Sequence, residues 1–158
     1  MNEQSWPSRR TVVLGLAAAA AGGRASLAEP LPDVAVTKDP GCGCCEAWVA
    51  HLRKEGFTVR VTEAAVNPVK VRLGVPRELA SCHTAQVGGY VIEGHVPAAA
   101  IQRLLAQRPS GTGLAVPGMP VGSPGMEVAG VEPATYDVIL FGPAGRSTFA
   151  RFRGDRAV

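Results

Sequence analysis

Apolar and polar positions divide the chain into three textures. Residues 11–23 form one uncharged run, residues 33–108 switch repeatedly between strand-like and helix-like spacing, and residues 110–133 carry no period. "DVAVTKD" (33–39) is short and rich in valine, which predicts a strand, and Pro40-Gly41 ends it. Cys45, Trp48, Val49 and Leu52 then fall at i, i+3, i+4 and i+7, which predicts a helix over 44–55 with one apolar face. Gly56 stops it as a left-handed C-terminal residue. "FTVRVTEA" (57–64) is β-branched and partly alternating, a second strand. Asn67-Pro68 opens a short helical stretch over 69–73, which Gly74 and Pro76 end. "AQVGGYVIEG" (85–94) predicts two short strands about a Gly88-Gly89 turn. Pro97 starts a helix through Arg108 with Ile101, Leu104 and Leu105 on one face.

After Pro109 the glycine- and proline-rich segment 110–133 reads as a long aperiodic loop, functional or disordered by its length. "YDVILFG" and "STFARF" predict a closing β-hairpin around Pro143-Ala144-Gly145. The order β-α-β-α-β-β-α, with cysteines opening the first helix, is that of a thioredoxin-like α/β domain. The expected fold is therefore one such domain carrying a Gly/Pro-rich loop and a C-terminal β-hairpin.

The first texture changes what the chain is expected to be. Arg9-Arg10, the run Thr11–Gly23 and the small-residue end Ser26-Leu27-Ala28 follow the order of a cleavable export signal. Ser8-Arg9-Arg10 before Val12, Val13 and Leu14 matches a twin-arginine address. The run is too short to span a bilayer, which needs about 20 residues. Cleavage near Ala28 is expected, leaving 29–158 as one exported, periplasmic domain without a membrane span. The 16 basic and 13 acidic residues of the whole chain fall to 13 and 12 once Arg9, Arg10, Arg24 and Glu3 are removed. A nearly balanced charge with no basic run makes nucleic acid an unsuitable partner.

Export also changes the meaning of the cysteines, because the cytosolic reducing buffer is left behind. Three of the four lie in "GCGCC", at Cys42, Cys44 and Cys45. Cys42 and Cys45 form a C-x-x-C pair at a helix N-terminus, where the dipole and free N–H groups favour a thiolate. Such a pair serves redox chemistry, a structural disulfide or a metal. Cys44 is the third sulfur that a dithiol catalyst does not need. Three thiolates from one loop suit a soft cation, and thiolates favour Cu(I) and zinc. Cys82 and His83, before the third strand, are expected to approach this loop as a fourth thiol and a candidate imidazole. Met119 and Met126, both in Pro-Gly-Met, are the methionines beyond Met1 and could add thioether donors, which favour Cu(I). His51 ranks lower, about 10 Å along the helix axis from Cys44 at 1.5 Å per residue. His95 ranks lower too, since it precedes Pro97 and is expected to help start the third helix.

"DPGCGCCEAWVAHL", "LASCHTAQVGGYVIEGHVPAAAIQRLL" and "GLAVPGMPVGSPGMEV", in this order, resemble the CopG-like family of exported bacterial proteins associated with copper resistance. The resemblance spans about Val34 to Phe152. It implies a thioredoxin-like fold and copper binding through Cys42, Cys44 and Cys45, with Cys82 as the separate fourth. The leading expectation is a copper-binding protein that takes Cu(I) in this thiolate site, as a single ion or a polynuclear cluster. It would serve sequestration, delivery or resistance, with other exported copper-handling proteins as partners. The alternatives are a thiol–disulfide or copper-linked oxidoreductase using the same cysteines, and a structural module with two disulfides.

Overall fold

A computed structural model describes residues 30–158; the expected export signal lies outside the described residues. The chain forms a mixed α/β domain in the order β1 (Val34–Lys38), α1 (Gly43–Lys54), β2 (Val59–Glu63), α2 (Val66–Arg72), a 3-10 turn (Arg77–Leu79), β3 (His83–Val87), β4 (Tyr90–Glu93), α3 (Ala98–Gln107), β5 (Gly113–Ala115), β6 (Thr135–Gly142), β7 (Gly145–Arg153) and β8 (Arg156–Ala157). All eight strands join one sheet in the order β2-β1-β3-β4-β5-β6-β7-β8. β1 and β2 run parallel, joined through α1. β1, β3 and β4 alternate in direction, β5 is parallel to β4, and the remaining pairs are antiparallel.

The apolar periods produce the core they predict. Cys45, Trp48, Val49 and Leu52 on α1 and Ile101 and Leu104 on α3 are all fully buried. Trp48, Val49, Leu52, Ile101 and Leu104 pack with Val34, Val36, Ile92 and Leu114 of the sheet and with Tyr136, Val138 and Phe152 of the terminal hairpin in one cluster. Each large side chain so buried contributes about 1.5–3 kcal/mol. Gly56 follows α1 at φ +90°. Gly88 and Gly89 have φ of +54° and +90°, the positive pair that a two-residue hairpin turn of the primed kind demands.

Several boundaries differ from the local pattern; β3, for one, begins at His83, two residues ahead of the predicted strand. α2 begins at Val66, ahead of Asn67-Pro68, because the Asp39 carboxylate accepts the Val66 N–H at 3.1 Å. The cap comes from 27 residues away, so no local signal marks it. The segment 110–133 is also not structureless throughout. Its "GLA" forms β5, which bridges β4 and β6 and so brings the hairpin into the main sheet. Three residues are too few to show a period. β8, two residues long, is likewise unannounced by the sequence.

The strand directions decide where chemistry gathers. β1 ends at Lys38, beside His83 at the start of β3, and β4 ends at Glu93, beside Thr84. The cysteine loop after β1, the segment before β3 and the exit of β4 therefore meet at one end of the sheet. Among the described residues, no helix is long and apolar enough to cross a membrane.

Candidate metal centre

Cys42 is the N-cap of α1, and Cys44 and Cys45 lie in its first turn. The helical period puts Cys45 on the fully buried face, while Cys42 and Cys44 are half-buried. Cys42 and Cys45 are joined as a disulfide with a Cα–Cα distance of 5.4 Å. Cys44 and Cys82 are the free thiols. Cys44 Sγ lies 3.5 Å from Cys42 Sγ and 3.9 Å from Cys82 Sγ. All four sulfurs fall within 4.8 Å of one another. The structure thus gathers the four cysteines, and it holds Cys42 and Cys45 in the paired form.

A second set shares Cys82. Cys82, His83 and His95 also place one donor atom each within 4.8 Å of the others. Cys82 Sγ is 3.3 Å from His83 Nδ1 and 3.0 Å from His95 Nε2. Burial and the neighbouring Cys44 push the Cys82 thiol up to about 12, so it is protonated at neutral pH. His95 is fully buried, and its Nδ1–H donates to the Pro124 carbonyl at 2.8 Å. Because a carbonyl only accepts, the proton of the neutral ring sits on Nδ1, and Nε2 turns a lone pair to Cys82. Backbone carbonyls fix metal-binding imidazoles in the same way. His83 is fully buried against Trp48, with ring centroids 4.2 Å apart. Burial, then His95 and Lys70, lower its pKa to about 3. His83 Nε2 has no hydrogen-bond partner among the described residues. His83 thus turns Nδ1 to Cys82 and keeps Nε2 as a buried nitrogen without such a partner, a group that calls for an explanation.

The structure gives the helix-start role expected of His95 to His51. His51 Nε2 accepts the Ala98 N–H at 3.2 Å, so His51, and not His95, serves the start of α3. His95 instead joins the cysteines. The signal for it is the Gly88-Gly89 turn, which pairs Val87 with Tyr90 and Thr84 with Glu93. Continued outward, that register places Cys82 opposite His95.

The glycine-rich segment lies against this site. Ser81 Oγ donates to the Gly118 carbonyl, and Pro124 carries the carbonyl that orients His95. Gly125 sits on the first turns of α1, so closely that a Cβ there would lie 2.7 Å from Cys44 O and 2.7 Å from Trp48 N. Within the segment Gly122 and Met126 share a hydrogen bond, as do Met126 and Ser123. Met126, beside Gly125, is half-buried, whereas Met119 is 52% exposed.

Comparison with known proteins agrees with this geometry. A family described as "Protein of unknown function, DUF411" matches residues 79–126, which hold Cys82, His83, His95 and both methionines of the segment. No match is found among curated proteins. A solved structure titled "Copper resistance protein copG- Form 1" is 45% identical with a TM-score of 0.72, over 80% of this chain and 100% of that one. "Copper resistance protein copG- Form 2" is also 45% identical, with a TM-score of 0.71 over 78% of this chain and 99% of that one. At that identity and coverage, with the cysteine cluster in place, the chain belongs to the CopG-like copper-resistance family.

Proposed function

We propose that the protein is an exported copper-binding protein of thioredoxin-like fold, which takes Cu(I) at the end of the sheet where β1, β3 and β4 meet. The observation that carries this reading is the convergence of four sulfurs within 4.8 Å, beside an imidazole whose free nitrogen is turned to one of them. The element order β-α-β-α-β-β-α supports the fold reading. Sulfur donors suit Cu(I) above harder cations. Four thiolates require Cys42–Cys45 to be reduced, with two electrons from a dithiol partner. Each cysteine thiol then gives up its proton as the metal binds. Thiolates so crowded can bridge more than one ion, which supports a polynuclear cluster. Met126 is the thioether better placed to add a donor, since it adjoins Gly125, which packs against the first turns of α1, and Met119 is the more exposed. The role is sequestration, delivery or resistance in the periplasm, following the export address in the sequence.

The test is competition for Cu(I) against a chelator of known affinity, run on the reduced protein and on the Cys42–Cys45 disulfide form. Tight binding by the reduced form, weaker binding by the oxidised form and weaker zinc binding are expected. Equal affinities of the two forms, or equal affinity for zinc, contradict the reading.

A second reading, a thiol–disulfide or copper-linked oxidoreductase, is favoured by the position of Cys44 Sγ, 3.5 Å from a sulfur of the disulfide. Turnover of a disulfide substrate with a dithiol reductant separates this reading from storage or delivery.

A further inference from the structure

Behind the metal centre lies a fully enclosed polar cluster that contributes no ligand. Lys70 on α2 and Glu93 at the end of β4 form an ion pair at 2.5 Å, with the Glu93 side chain wholly buried. Lys70 Nζ also donates to Thr84 Oγ1 at 3.0 Å, and Thr84 Oγ1 donates to Glu93 Oε2 at 2.7 Å, which closes a ring of three side chains. Buried ion pairs are weak devices for stability, since apolar residues of equal volume often serve as well. What distinguishes this one is a further bond. Glu93 Oε1 accepts the backbone N–H of Ser81 at 2.6 Å. Ser81 immediately precedes Cys82, in a stretch that belongs to neither the 3-10 turn nor β3.

The surroundings tighten the same point. Ser81 Oγ donates to Gly118 O, so the residue is held on two sides. Gly94 leaves no room beside it, for a Cβ there would lie 2.6 Å from the Ser81 side chain. One residue beyond Gly94 is His95. The Glu93 carboxylate therefore ties the segment carrying Cys82 to the strand end carrying His95.

We propose that Glu93, held by Lys70 and Thr84, is a positioning residue of the metal centre: its bond to the Ser81 N–H sets Cys82 against His95 and Cys44. This deepens the copper-binding reading and rests on it for the identity of the metal, but the positioning itself is testable without metal. The acceptor matters, and the charge does not. In Lys70→Met/Glu93→Gln both charges are gone, while the amide oxygen still accepts from Ser81 and the amide N–H₂ can donate to Thr84. In Lys70→Met/Glu93→Leu the acceptor is gone as well.

The experiment compares these two variants with the wild type. The first readout is the alkylation rate of Cys82 in metal-free protein, located by peptide mass mapping. The second is Cu(I) affinity by chelator competition. Lys70→Met/Glu93→Leu is expected to alkylate at Cys82 faster than the wild type and to bind Cu(I) about tenfold more weakly, the scale on which metal affinity falls when a group orienting a ligand is lost. Lys70→Met/Glu93→Gln is expected to match the wild type in both. Wild-type alkylation in the leucine variant overturns the proposal, and so does a glutamine variant as impaired as the leucine one. Should the leucine variant not fold, amide exchange at Ser81 in the wild type decides: protection supports the tether, and exchange as fast as in an exposed loop overturns it. A wild type that binds no Cu(I) defeats the copper reading alone and leaves the alkylation and exchange results to decide the positioning.

Discussion

Cys82 Sγ and His95 Nε2 stand 3.0 Å apart, on the segments that flank a two-residue hairpin. The Pro124 carbonyl holds the proton of His95 on the far nitrogen. The pair is thus a thiol and a lone pair facing one another, and a soft cation can replace the shared proton. His95→Phe keeps the ring and removes both nitrogens. We expect Cu(I) affinity to fall by roughly tenfold or more, measured by chelator competition. Unchanged affinity would reduce His95 to a hydrogen-bond partner of Cys82.

The two adjacent cysteines of the loop should behave differently. In reduced protein, Cys44→Ser should weaken copper binding while changing stability by no more than about 0.5 kcal/mol, because Cys44 is only half-buried. Cys45→Ser places a hydroxyl at a fully buried site and should cost about 1–3 kcal/mol. Denaturant midpoints and copper titrations of the two variants check this. The reverse order of stabilities would mean that the helix presents a different face to the core.

Those cysteines also show how much of the site was legible. The period of α1 assigns Cys45, Trp48, Val49 and Leu52 to the core, and all four are buried. The sequence brings Cys82 and His83 toward the cysteine loop; the structure gathers Cys82 with the three loop cysteines and groups His83 with Cys82 and His95. His95 ranks lower in the sequence because it precedes Pro97, and the register that aligns it with Cys82 shows only when the hairpin pairing is extended beyond its strands. The Asp39 cap on α2 and the Lys70–Glu93 tether join residues 27 and 23 apart. Each is a match between distant side chains that no local period encodes.

Gly125 is the point where the glycine-rich segment meets α1. Its φ of +87° and its contact with the α1 backbone both exclude a side chain. Gly125→Ala should lift the segment from Cys44, weaken copper binding and cost more stability than Gly130→Ala. Gly130 has a similar φ of +76° but open space around it, so that control carries only the backbone penalty, about 1–2 kcal/mol. Thermal unfolding and copper competition on both variants measure the difference. Equal effects would mean that the segment does not press on the helix.

The metal-free protein should lose stability in acid through His83. The unfolded chain takes up this proton near pH 6.5, whereas the folded one resists it until about pH 3. Between those values the unfolded state binds more protons, so stability is full above pH 6.5 and falls as pH drops toward 3. The limiting slope for one such group is about 1.4 kcal/mol per pH unit. Urea midpoints from pH 7 to 4 should fall less steeply in His83→Gln than in the wild type. Parallel curves would show that the buried ring does not govern the acid response.

Copper affinity should respond to pH as well, and more strongly. The Cys82 thiol, pushed up to about 12, must release its proton on binding. Apparent affinity should therefore rise roughly tenfold per pH unit for each thiol proton displaced. Competition titrations at pH 6, 7 and 8 give the number of protons directly. A flat profile would contradict thiolate ligation.

X-ray absorption at the copper edge of the reduced, copper-loaded protein reads the metal's oxidation state and its ligand atoms together. Thiolate ligation gives a Cu(I) edge and a first shell made mainly of sulfur, which loses sulfur in Cys82→Ser. A first shell of nitrogen and oxygen alone, unchanged by that substitution, would contradict it.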